Sequence, residues 1–366
     1  MSDAIADVPM GVSLVHATRL TGTPRRSMWL LWGLSLALGS VVLLAVGIGA
    51  VRIAPLDVIR ILTGRLSRGR FVGNVEAQLD AVLWTIRLPR VLLSVTVGAA
   101  LGMSGAALQG VFRNPLADPA LIGVSSGAAL GAVGSIVLGV GALGLWTLPA
   151  AAFVGAVTMA AVVFVLAQRN GRVEVVTLVL CGVAVNAISG AGIGLLITMA
   201  DDAQLRDIAF WQLGSVGGAT WSMVAVCVPF VAVALVVLPA KARALDLLVL
   251  GEREARHLGI NVEQTRLMVI GLAALATGAS VAVAGILGFV GLIVPHLVRL
   301  VNGPAHRTLL PASALGGAVV LTTADLVART IAVPREVPLG VMTALIGAPV
   351  FLWLIRWSRQ HFGGFA

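Results

Sequence analysis

Asp325 follows Thr322 and Thr323 and stands four residues before Arg329, in a stretch otherwise made of small and apolar residues. A charge at membrane depth is costly and often marks an ion or proton site. An i,i+4 acid–base pair at a helix end gives the same spacing a structural reason, and that reading is preferred. His296, after Val294 and Pro295, is of a type that ligates metals or haem iron, but no clustered partner accompanies it. Glu252, Glu254 and Glu263 share one charge-rich interval and read as solvated charges. The chain carries no HExxH, no Gly-rich phosphate loop with a Lys and no GxSxG. No catalytic residue and no metal site is therefore expected, nor any cofactor bound by this chain. Cys181 and Cys227 lie inside apolar runs and read as small buried hydrophobes.

That charge-rich interval, 241–266, is the longest lying between two long apolar runs. Its segment from Glu252 to Gly259 reads as a short surface helix closed by Gly259. Glu252 and Glu254 in the first turn and Arg256 and His257 in the last suit the helix dipole. Ala255 and Leu258, three apart, are expected to share an apolar side, with Leu247, Leu248 and Leu250 just ahead. Such a loop is placed to receive force from outside a bilayer.

Composition sets the elements that hold these residues. At 58% hydrophobic and 11% charged, with a mean hydropathy of +1.02, the chain is an integral membrane protein. Its 24 Arg and single Lys give a net charge of +9, but they sit in separate inter-helix segments, which argues against nucleic acid and for a lipid surface. The first apolar run, 28–50, is a retained span preceded by Arg19, Arg25 and Arg26. The interval 51–90 reads as a long polar loop rich in arginine. Charge-free runs then cover 91–112, 119–168, 175–200, 208–240, 267–298 apart from His296, 308–324 and 337–355. About 20 residues cross a bilayer, so 119–168 must fold back near 139–149 and 267–298 must turn near 285–291. The count is ten helices over 28–357, with segments 1–27 and 358–366 in the cytoplasm and 15 basic residues inside against 10 outside.

Gly98 with Gly102, and Gly127 with Gly131, have the spacing of ordinary close helix packing. The segments 90–110 and 266–288 echo each other: each has an Arg start, a Gly/Ala/Ser-rich middle and an Ala-Leu or Ala-Gly end. By the helix count they run in opposite directions. An inverted repeat of helices 2–5 and 7–10 suits a transporter. Chance likeness between apolar segments is the alternative.

Several motifs then carry a family resemblance. Arg87-Leu-Pro-Arg90, Gly105-Ala-Ala-Leu-Gln109, Asn114-Pro-Leu-Ala-Asp-Pro119 and Leu121-Ile-Gly-Val-Ser-Ser-Gly127 come first. Gly288 to His296, His306-Arg307, Ala324-Asp325, Val337 to Gly340 and Gly347 to Phe351 follow in order. Together they resemble the permease subunits of ATP-driven importers for iron-siderophores, haem and vitamin B12, the type II importers, over roughly 28–357. The resemblance implies an all-α fold of about ten transmembrane helices, vitamin B12 importer permease-like, in a bacterial inner membrane with both termini cytoplasmic. It implies a homodimer, two ATPase subunits that use ATP and Mg, and a periplasmic binding protein. Leu250, Gly251, Glu252, Ala255, Leu258 and Gly259 become the ATPase-coupling segment. Arg87, Arg90 and Arg329 become docking sites for glutamates of the binding protein. The cytoplasmic gate falls on Asn114, Leu116, Val175 and Val176, the last two bulkier than the small hydroxyl residues of the vitamin B12 importer. The stretch from Phe210 to Trp221 looks most like haem permeases, making haem the expected cargo, with a ferric siderophore or vitamin B12 as alternatives. An ion-coupled secondary transporter would have only Asp325 to work with.

Overall fold

The computed structural model describes residues 24–49, 53–66, 77–140, 144–169 and 172–362. The expected N-terminal segment lies almost wholly outside the described residues, as do Arg19, Arg52, Arg68, Arg70 and the end of the C-terminal tail.

Helix α1, Pro24–Gly47, opens on a proline, which costs nothing in a first turn whose N–H groups have no helical partner. Next come α2, Pro55–Leu66, and the long α3, Ala77–Phe112, which contains a π-helical turn at Val82–Arg87. A 3-10 turn, Pro119–Ile122, leads into α4, Val124–Val137. Helix α5, Thr147–Leu166, ends in a two-residue hairpin, β1 (Gln168–Arg169) pairing with β2 (Arg172–Val173). Then follow α6, Val175–Ile197; α7, Asp202–Leu213; and α8, Trp221–Ala240. The charge-rich interval holds α9, Ala242–Leu250, and α10, Glu252–His257. The chain finishes with α11, Val262–Ala284; α12, Val290–Asn302; α13, His306–Ala328; and α14, Leu339–Phe362.

Among the described residues seven helices are long and apolar enough to cross a membrane: α1, α3, α5, α6, α8, α11 and α13. Shorter apolar helices, α4, α12 and the start of α14, bring the bundle to ten. In the apolar window of α3, 83% of residues are buried, against 11% in α1 and 17% in α6. Helix α3 is therefore the axis, while α1 and α6 turn most of their surface outward.

Two expectations need correction. The interval 51–90 is not one polar loop: α2 occupies part of it and α3 begins at Ala77, so Arg87 and Arg90 ride on helix. A charge-free run starts a helix too late when its charges are satisfied by tertiary bonds. The run 208–240 is not one helix either, since α7 stops at Gly214 (φ +68°) and α8 restarts at Trp221 behind Thr220, whose Oγ1 accepts the Met223 N–H at 3.3 Å.

The two halves are inverted copies. In each, a long buried helix (α3, α11) is followed by an irregular segment that dips into the bundle and then by a short helix (α4, α12). Both short helices open on a left-handed residue, Gly123 (φ +80°) and Phe289 (φ +68°). Thirteen or fourteen residues span only about 20 Å at 1.5 Å each, so the dipping segment covers the remaining depth. Irregular backbone is tolerated there only if protein groups satisfy it. In the first such segment Asn186 Nδ2 donates to Ala120 O at 3.2 Å, and in the first turn of α12 Gln109 Nε2 donates at 3.2 Å to Gly291 O, which faces Pro295 four residues on and so has no helical N–H.

Candidate functional site

At one end of the bundle, the 241–266 loop folds onto the permease. Glu252 bonds Arg266, which also donates to Val173 O at 2.8 Å, and Arg256 lies 3.3 Å from Glu252 and 3.4 Å from Glu263. Val173 N–H donates to Glu263 at 3.0 Å. Gly251 (φ +136°) separates α9 from α10. Gly259 (φ +80°) ends α10, with the Ile260 N–H reaching back to Ala255 O at 3.0 Å in a left-handed C-terminal turn. The expected shared apolar side of Ala255 and Leu258 is corrected. Ala255 is fully buried against the bundle, while Leu258, just past the helix, is 58% exposed. The outward apolar groups are Leu250, 68% exposed, together with Val249 and Leu258. They flank α10 and do not stripe it.

Asn114 and Leu116 stand at the same end, after α3. Arg113 ends α3 in the left-handed region (φ +49°), the Asn114 N–H donates to Gln109 O at 3.2 Å, and Asn114 Oδ1 accepts the Leu116 N–H at 2.9 Å. Val175 and Val176 begin α6; Val175 packs on the core and Val176 is exposed. No hydrogen bond joins the two pairs among the described residues. Asp118, in the loop beside them, accepts the Ala120 N–H at its Oδ1 at 2.9 Å.

Arg87, Arg90 and Arg329 gather at the opposite end, and all three are buried. Arg87 donates to Val46 O at 2.6 Å and Gly47 O at 2.8 Å, and Arg329 to Ala45 O. Two guanidinium groups thus serve the last carbonyls of α1, a helix with no basic residue in its own last turn. Arg90 makes a double fork: Nε and Nη2 reach Asp325 at 2.9–3.2 Å, and Nη1 and Nη2 each reach Glu336 at 2.9 Å. The expected Asp325–Arg329 pair is the looser contact, 3.9 Å. Spacing along one helix could not reveal Arg90 as the principal partner; the cost of a buried carboxylate is the signal that one had to exist. Glu336 is half-exposed, and Arg90 holds its carboxyl below the usual range.

Beside this cluster the Trp221 ring leans on Trp84 with centroids 5.1 Å apart, and its Nε1 donates to Trp84 O at 2.8 Å. Phe210 and Trp211 line a cavity of about 490 Å³ with Gln204 and Asp207. The residues from Phe210 to Trp221 are thus split between the end of α7, a turn and the start of α8. His296 sits on α12, half-buried, one helical turn before Arg299. Among the described residues no three His, Cys, Asp or Glu side chains converge into a metal-sized site.

An inverted pair of repeats, each with a broken helix dipping into the bundle, is the architecture of a membrane permease. The chain belongs to the FecCD transport family, whose model matches residues 35–357. It is 47% identical over 286 residues to the hemin transport system permease protein HmuU of Yersinia pestis, covering 77% of this chain and 85% of that one. It is 43% identical over 291 residues to the cobalamin import system permease protein BtuC of Halobacterium salinarum, covering 77% and 75%. An inward-facing metal-chelate type ABC transporter superimposes with a TM-score of 0.79 at 33% identity, covering 89% of this chain and 98% of that one. The molecule is an ABC importer permease of this class, a multi-pass translocation subunit and not the ATP-hydrolysing one.

Proposed function

We propose that this chain carries haem across a bacterial inner membrane, as a homodimer seated on two ATPase subunits that use ATP and Mg. The observation that carries the cargo reading is the 47% identity to a hemin permease. Exposed Phe210 and neighbouring Trp211 at one mouth suit a flat, largely apolar ligand. Cobalamin is the second reading, favoured by the 43% identity to a cobalamin permease.

In this assembly the 241–266 loop and both termini face the cytoplasm. Leu250, Gly251, Glu252, Ala255, Leu258 and Gly259 form the segment against the ATPase, with Leu250 and Leu258 as its contacts and buried Ala255 as its anchor. Asn114, Leu116, Val175 and Val176 lie at the cytoplasmic mouth. Outward apolar residues of α6, among them Leu180, Ile188 and Leu195, offer a face to a second copy. At the outer end a binding protein presents carboxylates to Arg87, Arg90 and Arg329. Half-exposed Glu336 already occupies the place on Arg90 that such a carboxylate would take.

Reconstitution in liposomes with its ATPase and binding protein, offering haem, a ferric siderophore and cobalamin, tests the cargo. ATP-dependent accumulation of haem alone is expected. Uptake of cobalamin or the siderophore in its place would overturn the cargo and leave the importer class standing.

A further inference from the structure

Asp246, on α9, is bonded to the first residue of α13. Its Oδ1 accepts the His306 main-chain N–H at 2.9 Å and lies 2.7 Å from ring Nδ1. Ala305, at the N-cap position of α13, caps nothing with its own side chain, so the α9 carboxylate caps α13 across 60 residues. A cap needs only the main-chain bond, yet the imidazole is drawn in as well. Facing a carboxylate, Nδ1 carries a proton and donates. Nε2 is buried with no hydrogen-bond partner among the described residues, a costly arrangement that packing alone does not require. That edge of the ring lies on Gly110 in the last turn of α3, so close that a Cβ there would collide with Nε2. Gly110 O accepts the Arg113 N–H at 3.3 Å, and the turn bearing Asn114 and Leu116 follows directly.

We infer that His306 transmits movement of the 241–266 loop to the turn that ends α3, as a positioning residue between α9 and the cytoplasmic mouth. The inference rests on the reading of that loop as the ATPase contact. The imidazole is rigid, buried and held at both edges, so displacing α9 pushes on α13 and α3 together. The neighbouring Arg266 network ties α10 to α11 and β2, a separate part of the molecule. The loop is therefore joined to the bundle by two different polar contacts, and of these the His306 contact is the one that adjoins 113–116, where α9 itself also packs on α3 and α13.

The test uses the full importer in nanodiscs, with Leu116→Cys as a reporter in a Cys181→Ser, Cys227→Ser background. Its maleimide labelling rate is measured with and without ATP-vanadate trapping. His306→Ala and Asp246→Ala are expected to reduce the trapping-induced rate change about tenfold, with ATP hydrolysis kept within about twofold. Asp246→Asn, which keeps an acceptor oxygen, retains most of the response. Asp246 is 40% exposed at its side chain, so its variants carry the test if His306→Ala does not fold. An unchanged response in both alanine variants would overturn the inference. So would loss of ATPase from the variant complexes alone, since the contact would then serve assembly, and so would a wild-type reporter that ignores trapping. Failure of the wild-type chain to hold any ATPase would instead bring down the loop reading on which the inference stands.

Discussion

The Arg90 guanidinium divides its donors between a buried carboxylate, Asp325, and a half-exposed one, Glu336. Removing the buried partner strands the Arg90 Nε donor and leaves Arg90 to the half-exposed Glu336, so Asp325→Ala is expected to destabilise the permease by about 3 kcal/mol. Glu336→Gln, at a wetter position, should cost about 1 kcal/mol or less. Unfolding in detergent followed by tryptophan fluorescence ranks the two; equal losses would contradict the assigned burial. The Glu336 carboxyl is depressed by Arg90. Its contribution is therefore fully present above the unfolded value of about 4.3 and is lost as pH falls through the lower folded value. Stability should drop more steeply below about pH 4 in the wild type than in Glu336→Gln. The need for a partner to Asp325 was legible from its chemistry. The identity of that partner was not, because Arg90 lies 235 positions away in an interval whose charges read as a loop.

Helices show the same division. Charge-free length located the ten spans, and the Gly98/Gly102 spacing marked a close crossing. It could not say which helix is crossed: a Cβ on Gly98 would strike the Gly317 carbonyl, and one on Gly102 the Ser313 carbonyl, both on α13. Gly102→Val is accordingly expected to cost about 1–3 kcal/mol or more by forcing α3 and α13 apart. Gly271→Ala, on an exposed part of α11 with nothing within 4 Å of the new methyl, should be neutral or slightly stabilising. Size-exclusion profiles and melting temperatures of the two variants check the contrast. The orientation of α10 was misread because its apolar residues are so few. A six-residue helix samples too little of its circumference for spacing to decide which side faces inward.

At the scale of the whole molecule, the echo between 90–110 and 266–288 is a structural repeat whose arginines play matched parts at opposite ends. Arg90, just after the π-helical turn of α3, ties that helix to the loop before α14 through Glu336, and Arg266 ties the start of α11 to the hairpin before α6 through Val173. The echo of residues was visible in the chain; the partners were not, because Arg90 finds its carboxylates on and after α13, while Arg266 finds Glu252 and the Val173 carbonyl in the segments before α11 and α6. Exchange of Arg266 for Met should loosen the 241–266 loop, seen as faster amide exchange over α10, while the end that holds Arg90 keeps wild-type exchange. Protection lost at both ends would contradict the independence of the two clamps. The separation of Arg90 from Asp325 also bears on biosynthesis. A ribosome adding about 5–20 residues per second delivers the carboxylate roughly 10–50 seconds after the guanidinium. Through that interval Arg90 sits near the end of its span and reaches for lipid headgroups. Withdrawal of its side chain from the bilayer surface onto α13 then becomes a late event, one that waits on the synthesis of α13 and of the loop carrying Glu336.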